Sequence, residues 1–229
     1  AGVVGLRDTN GDGKMDVTER FGDKSTTGIA VRKGDLYIAT ISSVERFKLT
    51  PNELKPGPAE VVVADLPVTR PHQDKGIAFD GRGGLYVSIG APSNACQPQD
   101  RRPKLAGQDP CPLLEYAGGI WKFDENKLGQ KQADGIRYAT GLRQMPALVW
   151  HDGALYTVMN NRDQIDTLWS DMFVGEDNQT RPAEPMYRVE QGANYGWPFC
   201  FYDYTQNKLL LNPEYGGDGK AVGRCSEFK

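Results

Sequence analysis

A twelve-residue run near the start of the chain, residues 8–19, carries oxygen-bearing side chains at the spacing of a calcium-binding loop. Calcium takes roughly six to eight oxygen ligands, and such loops offer them at the first, third, fifth, seventh, ninth and twelfth positions. The predicted ligands are side-chain oxygens or, for the lysine, the backbone carbonyl: Asp8, Asn10, Asp12, Lys14, Asp16 and Glu19. Gly13 stands where the loop turns sharply. The flanks are too short for two helices, so we predict a structural calcium site in a turn between strands.

The chain has only two histidines, and they stand in different contexts. His72 follows Pro71 in a loop that leads into a strand. Its ordinary pKa near ~6.5 would suit a general base at neutral pH. Spacing alone favours a solvent-exposed loop histidine over a catalytic one. His151 lies in the turn of a hairpin, where a solvent-exposed, structural residue is expected.

Two further loop segments carry side chains that could bind an anion or a metal. Arg143 follows Gly141-Leu142 and could clamp a carboxylate or a developing oxyanion, although a surface arginine fits the pattern equally well. Residues 160–163, Asn-Asn-Arg-Asp, could offer carbonyls and a carboxylate to a second calcium. Four residues make a weak motif, so this second site is a hypothesis only.

The four cysteines fall as two pairs, Cys96 with Cys111 and Cys200 with Cys225. Their spacing matches no zinc signature, so we predict two disulfides, each contributing about 3 kcal/mol by loop-closure entropy. Together with a calcium loop, disulfides indicate the periplasm or a secreted protein. Four reduced, buried cysteines in a cytosolic protein remain the alternative, because sequence does not fix connectivity.

Bulk composition excludes several classes of partner. The chain has 229 residues and a formal net charge of −3, so it offers no electrostatic attraction to nucleic acid or anionic membrane. No apolar run approaches the roughly 20 residues of a membrane span. The 27 glycines and 15 prolines suit a loop-rich, all-β protein rather than a helical one.

One strand–turn–strand unit occurs three times, at residues 28–38, 76–87 and 146–157. Each unit has a short apolar strand, a tight turn built from Gly and Asp, and a second strand that opens Leu-Tyr. Further strands are predicted at residues 60–63, 119–123 and 185–189. Since helical periodicity is nearly absent, we predict a β-propeller of four-stranded antiparallel blades.

The number of repeated units is too small for most closed propellers. Three units, with residues 187–198 opening a fourth blade, would leave sheet edges open. We therefore predict one partial propeller domain over residues 1–229, which is either a fragment completed by the remaining part of its own propeller or one half of a two-chain assembly. Between the second and third units, residues of about 91–118 form a proline-rich insert that holds the first cysteine pair.

These motifs, taken together, resemble the PQQ-dependent sugar dehydrogenases of the glucose and sorbosone dehydrogenase family. The matching segments are Leu6–Lys14, His72 with Ile77–Asp80, Leu85–Gly90, Ser93–Cys96, Tyr138–Arg143 and Arg188–Pro198. The resemblance implies a six-bladed propeller with PQQ at its central mouth, oxidising an aldose or related sugar to the lactone or acid. It also implies an electron acceptor such as a cytochrome or a quinone.

The resemblance further implies roles for individual residues. His72 would take the proton of the sugar hydroxyl, and Arg143 would stabilise the negative oxygen of the reduced cofactor. Three more residues would contact PQQ: Gln144, Asn160 and Asp163. The backbone at Asn161 and Arg162 would bind a calcium that polarises the cofactor. The chain departs from the family pattern where Ala91 replaces the acidic residue that orients the base, and also at Gln144 and Asn160.

Two other functions fit the same sequence. A calcium-dependent, lactonase-like propeller would use a metal at the mouth to activate water. A non-catalytic binding propeller would use calcium for stability alone, because fold does not fix function.

Overall fold

Nearly all of the regular secondary structure consists of short β-strands joined by long loops, in a computed structural model that describes residues 2–229. The strands are β1 (Val3–Arg7), β2 (Val17–Phe21), β3 (Thr26–Arg32), β4 (Asp35–Thr40), β5 (Val44–Lys48), β6 (Glu60–Val63), β7 (Ile77–Phe79), β8 (Gly84–Ile89), β9 (Gly119–Asp124), β10 (Ile136–Thr140), β11 (Ala147–His151), β12 (Ala154–Val158), β13 (Met186–Val189), β14 (Cys200–Asp203) and β15 (Lys208–Leu211). The α-helices are α1 (Ile165–Leu168) and α2 (Asp177–Thr180). Single-turn 3-10 helices cover Pro112–Glu115, Gln132–Asp134, Pro213–Tyr215 and Gly223–Glu227.

The strands form antiparallel sheets in chain order. Strands β3 to β6 make one four-stranded sheet, and β7 to β10 make a second. Strands β11 to β13 form a three-stranded sheet, while β14–β15 and β1–β2 are two-stranded. Strand β7 contacts both β3 and β11, so the first strands of three consecutive sheets lie side by side. This is the arrangement of propeller blades around an axis, and the chain covers part of the ring.

The three predicted hairpins are confirmed. They are β3–β4, β7–β8 and β11–β12. The leucine of each Leu-Tyr pair is buried and is the second residue of the second strand of its hairpin: Leu36, Leu85 and Leu155. Lys33-Gly34 and Asp152-Gly153 turn with positive φ at both residues, the geometry that matches the twist of a tight hairpin. Local alternation and turn chemistry therefore suffice to form the inner half of each blade.

Aromatic and aliphatic side chains fill the layers between blades. Tyr86 of the second sheet stacks on Trp150 of the third at 5.4 Å between ring centroids and meets Tyr138 edge-on at 4.9 Å. Such pairs contribute about 0.5–1.5 kcal/mol each beyond the burial of their surface. Between the first and second sheets, Tyr37 packs edge-on against Phe79 at 4.8 Å. This packing holds the blades, and hence the loops at their ends, in fixed relative positions.

Residues 187–198 do not open a fourth blade, and that prediction is wrong. Residues 187–189 belong to β13, which pairs with β12 and completes the third sheet. The next sheet begins only at β14. Because the connection between β12 and β13 is long, the spacing along the sequence led us to assign residues 187–189 to the next blade. On the outer face of the third sheet, Val149, Val158 and Met186 are exposed, as expected of a blade face at an open side of the ring.

Both predicted disulfides are present. Cys96 is bonded to Cys111 and Cys200 to Cys225, and all four sulfur-bearing side chains are buried in one cluster with Trp197 and Phe199. Within residues 2–229, none of the helices is long and apolar enough to cross a membrane.

Four loops meet at one end of the second and third sheets. Because strands pair antiparallel, the start of β7 lies beside the end of β8, and the start of β11 beside the end of β12. The loops before β7 and β11 and the loops after β8 and β12 therefore open on the same side. Two hydrogen bonds join them across the blades, from Ser88 Oγ to the Met145 carbonyl and from the Ala91 N–H to the Arg143 carbonyl.

Candidate active site

His72 is buried at the meeting point of these loops, with about 5% of its surface exposed. Its ring Nδ1 lies 2.5 Å from the carbonyl oxygen of Ala91. A carbonyl only accepts hydrogen bonds, so Nδ1 carries the proton and Nε2 is the ring nitrogen left to accept one. The expectation from spacing alone, a solvent-exposed loop histidine, is wrong, because the insert after β8 covers the loop.

Burial and a neighbouring positive charge keep the His72 imidazole neutral. Two effects together lower the pKa of His72 from 6.5 to about 4. The larger effect is burial, and the second is the positive charge of the Arg143 guanidinium. The hydrogen bond to Ala91 and the carboxylate of Asp163 act in the opposite direction but are weaker. At neutral pH the ring is therefore a free base with a fixed tautomer.

Arg143 lies in the loop before β11, and its side chain is almost wholly buried. Its Nη1 donates to the carbonyl of Asn161 at 2.7 Å, and its Nη2 donates to Asp163 Oδ2 at 3.1 Å. Among residues 2–229, nothing accepts a hydrogen bond from its Nε. A buried donor without a partner is costly, so this N–H is available to a bound anion or carbonyl oxygen.

Gly90 allows the loops that carry His72 and Arg143 to approach. A Cβ on Gly90 would lie 2.9 Å from the Cβ of His72 and 3.4 Å from the carbonyl oxygen of Arg143, and closer still to the His72 carbonyl oxygen. The N–H of Ala91 then bonds to the carbonyl of Arg143 at 2.7 Å. A side chain at position 90 would separate the two groups, which explains a glycine here.

The remaining predicted cofactor contacts lie in the same region. Asn160 donates from its N–H to the carbonyl of Gln144 at 2.9 Å, and its Nδ2 lies 3.3 Å from Gln144 Oε1. Asp163 binds Arg143 and also Arg101. The structure thus brings together the five residues predicted to contact the cofactor: His72, Arg143, Gln144, Asn160 and Asp163.

The residues predicted to bind calcium at the mouth are engaged in other contacts. The Asn161 side chain donates to the carbonyls of Ala183 and Tyr202, and its Oδ1 accepts from the N–H of Arg162. The Arg162 side chain points into the core, where Nη1 donates to Glu214 Oε2 at 2.6 Å. The carbonyl of Asn161 already accepts from Arg143. These contacts involve the two side chains and the Asn161 carbonyl, and calcium binding by the backbone at Asn161 and Arg162 stays a prediction.

The loop at residues 8–19 joins β1 to β2 as expected, but one predicted ligand lies apart. The Asp8 carboxylate accepts backbone N–H groups from Asn10, Gly11 and Gly13, which lowers its pKa. Asp16 accepts from Thr9. Glu19, in contrast, lies on strand β2 opposite Gly5. No group of three or more His, Cys, Asp or Glu side chains able to hold a metal occurs within residues 2–229. The calcium site here stays a prediction.

Three site residues escaped the sequence analysis. Arg101 and Asn94 lie on the insert after β8, and both contact Asp163. Glu184 lies before β13, where its Oε2 accepts from the N–H of Asn161 at 2.8 Å and burial raises the pKa of its carboxyl. Arg101 and Glu184 belong to no motif, and Asn94 lies in the matching segment Ser93–Cys96, to which no role was given.

Comparison with known proteins identifies a family for the chain and a set of structures with the same fold. A family model described as TrAA12-like matches residues 2–219. None of the curated proteins matches the chain. Among solved structures, the iodide form of the family AA12 protein of Trichoderma reesei superposes with a TM-score of 0.65 at 19% identity, covering 86% of this chain and 50% of the other.

Two further structures share the fold. The holo form of the pyranose dehydrogenase PQQ domain of Coprinopsis cinerea gives a TM-score of 0.63 at 15% identity, covering 86% of this chain and 49% of that one. A glucose dehydrogenase gives 0.50 at 13% identity, covering 82% and 55%. The chain thus spans about half the length of the structures it matches. At these identities the likeness concerns the fold alone.

Proposed function

The chain belongs to the TrAA12-like family, and we propose on that basis that it forms part of a PQQ-dependent sugar dehydrogenase. The reaction is the oxidation of an aldose or a related sugar to the lactone or acid. The observation that carries the proposal is the pairing of a neutral, tautomer-fixed His72 with Arg143, whose buried Nε has no hydrogen-bond partner among residues 2–229. A base beside a free cationic donor suits removal of a proton from a hydroxyl next to an electron-accepting anion.

PQQ, when bound, supplies the quinone that accepts a hydride from the sugar carbon. His72 performs the proton transfer, with Nε2 taking the proton of the hydroxyl on that carbon. Its Nδ1–H stays on the carbonyl of Ala91, so the ring does not rotate away during the reaction. Arg143 donates from Nε to a negatively charged oxygen, while Asn161 and Asp163 hold its other nitrogens.

Burial strengthens each of these interactions. His72 and Arg143 are almost fully removed from water, so their fields act in a medium of low dielectric constant. The residues available to hold PQQ are Arg143, Gln144, Asn160 and Asp163, all on the loops before β11 and after β12. Calcium is proposed for the loop at residues 8–19, in a structural role.

We also propose the wider setting of the reaction. The two disulfides favour a secreted or periplasmic protein. Oxidation of the sugar releases two electrons, so we propose an electron acceptor such as a cytochrome or a quinone as a partner. The remaining part of its own propeller is proposed to cover the exposed face formed by Val149, Val158 and Met186.

The test is a titration of the purified protein with PQQ and calcium, following cofactor absorbance and then dye reduction with a series of aldoses. We expect saturable binding and turnover in the wild type. His72→Ala should retain binding and lose turnover by about 100-fold or more. His151→Ala is the matched control, because His151 is exposed at the end of β11, where it pairs with Ala154 beside the turn in which the sequence analysis placed it.

Two results would count against the proposal. Dye reduction that survives in His72→Ala would remove the histidine from the reaction. Hydrolysis of a sugar lactone without PQQ would instead favour a lactonase.

A further inference from the structure

Arg101 lies within the loop closed by the Cys96–Cys111 disulfide, and its guanidinium reaches Asp163 after β12. Its Nη1 donates to Asp163 Oδ1 at 2.5 Å and its Nη2 donates to Oδ2 at 3.1 Å, so Arg101 binds both carboxylate oxygens. Its backbone has a φ of 58°, a left-handed conformation that is unfavourable for a residue with a Cβ. The surrounding loop therefore holds Arg101 in this position against a local preference.

The same insert also fixes the backbone of Asp163. Asn94 is fully buried, and its Nδ2 donates to the Asp163 carbonyl at 2.9 Å while its Oδ1 accepts from the Asp163 N–H at 3.2 Å. The carbonyl of Asn94 accepts in turn from Trp197 Nε1 at 2.9 Å. Both the main chain and the carboxylate of Asp163 are thus held from the insert.

The two hydrogen bonds from Arg101 determine how Asp163 contacts Arg143. A free carboxylate beside an arginine commonly takes two parallel N–H bonds, one to each of its oxygens. Here Arg101 occupies both oxygens, and Asp163 makes a single contact with Arg143, at Nη2. The Nε of Arg143 is left without an acceptor among the described residues.

We propose that Arg101 is a positioning residue of this site, which keeps the Nε–H of Arg143 free for an anionic ligand by holding both oxygens of Asp163. The identity of that ligand as PQQ rests on the proposed function. The inference that Arg101 and Arg143 compete for the Asp163 carboxylate does not depend on the proposed function.

The first experiment measures the competition directly, without cofactor. The arginine Nε–H signals are recorded by ¹⁵N–¹H NMR, and the signal of Arg143 is assigned with Arg143→Lys. In Arg101→Gln, Asp163 is released and we expect the Arg143 signal to move as Nε gains an acceptor. An unmoved signal would overturn the proposal.

Arg102→Gln is the matched control, because it removes the same charge from the neighbouring residue. The Arg102 side chain contacts Gln99 and is exposed. We expect the Arg143 signal to stay in place in this variant. An equal movement in both variants would show a general loss of positive charge and would contradict positioning.

The second experiment measures binding of PQQ by its absorbance. We expect Arg101→Gln to weaken binding about tenfold and Arg101→Lys to restore it only in part, because lysine keeps the charge but cannot grip two oxygens at once. Full recovery with lysine would overturn the proposal. If the wild type binds no PQQ, the proposed function fails, and the NMR result still decides the role of Arg101.

Discussion

The backbone carbonyl of Ala91 accepts a hydrogen bond from Nδ1 of His72 at 2.5 Å. The family resemblance drawn from the sequence implies an acidic side chain at this position in glucose-oxidising members, where it would orient the base. Here a main-chain oxygen performs that orientation without adding a negative charge beside the ring. The pKa of His72 therefore stays low, whereas a carboxylate would raise it.

The pH dependence of turnover should reflect this environment. Since the pKa of His72 is lowered to about 4, the imidazole remains an unprotonated base down to that value. We expect kcat/KM to stay level from neutral pH to about pH 5 and to fall at lower pH. The pH profile of kcat/KM measures this, and a fall centred near 6.5 would show that the buried environment does not persist in solution.

Stability should depend on pH through Lys75, which is fully buried and donates to the carbonyls of Pro67 and Gln73. Burial lowers its pKa from 10.5 to about 8, so between these values the unfolded chain binds a proton that the folded chain does not. Stability attributable to Lys75 therefore rises with pH over this window, by at most about 3 kcal/mol.

Lys75→Met provides the comparison for this effect. The free energy of unfolding of the wild type relative to the variant should increase between about pH 8 and pH 10, as measured in urea. A difference that stays constant with pH would mean that the Lys75 ammonium is already solvated or paired in the folded protein.

Gly90→Ala should damage the site more than the fold. The added Cβ would lie 2.9 Å from the Cβ of His72, so the histidine loop must shift. We expect turnover to fall at least tenfold, because a small misplacement of a catalytic group is costly. Gly57→Ala is the control, since no atom outside its chain neighbours lies within 4 Å of a Cβ there. Equal effects in the two variants would contradict this close approach as the cause.

The buried pair of Arg162 and Glu214 should dominate the stability of the loop after β12. Both side chains are almost completely buried, and Glu214 also accepts from Trp169 Nε1 at 2.9 Å. Replacing only Arg162 by Met leaves the buried Glu214 carboxylate without its ion-pair partner. This should lower the free energy of unfolding by about 3–5 kcal/mol. The double variant Arg162→Met with Glu214→Leu should recover part of that loss. If the double variant is less stable than either single one, the pair is not the cause.

Calcium should stabilise the loop at residues 8–19. If Asp8 and Asp12 bind the ion, added calcium raises the Tm of the wild type, and Asp12→Ala removes the increase. Asp218→Ala is a matched control, because Asp218 is an exposed carboxylate that also accepts backbone N–H groups within its own turn. An equal calcium response in wild type and Asp12→Ala would exclude this loop as the binding site.

Sequence predicted the parts of the fold that depend on neighbours along the chain. The hairpins around Leu36, Leu85 and Leu155 follow from alternation and turn residues within about a dozen positions. The blade assignment of residues 187–189 failed because a long connection separates β12 from β13. Pattern within a segment does not say which earlier strand it will join.

The site was predictable only where a motif carried it. His72 and Arg143 stand in segments that resemble a family and were assigned roles from it. Asn94 and Arg101 were assigned none, because they meet Asp163 only across separations of 69 and 62 residues. Ala91 acts through its carbonyl, which every residue possesses, so its side chain gave no signal. Such contacts arise only from the packing of one blade on the next.

The convergence of loops from two blades also concerns the order of folding. His72 and Asn94 belong to the second sheet's connections, and Arg143 and Asp163 to the third's. Each hairpin can form early from local contacts, but these four residues meet only after the two blades have docked, at a high cost in loop-closure entropy. The candidate site is therefore expected to form late. A ligand that contacts both blades would oppose their separation. It should slow hydrogen exchange in β7 and β11 more than in the outer strands.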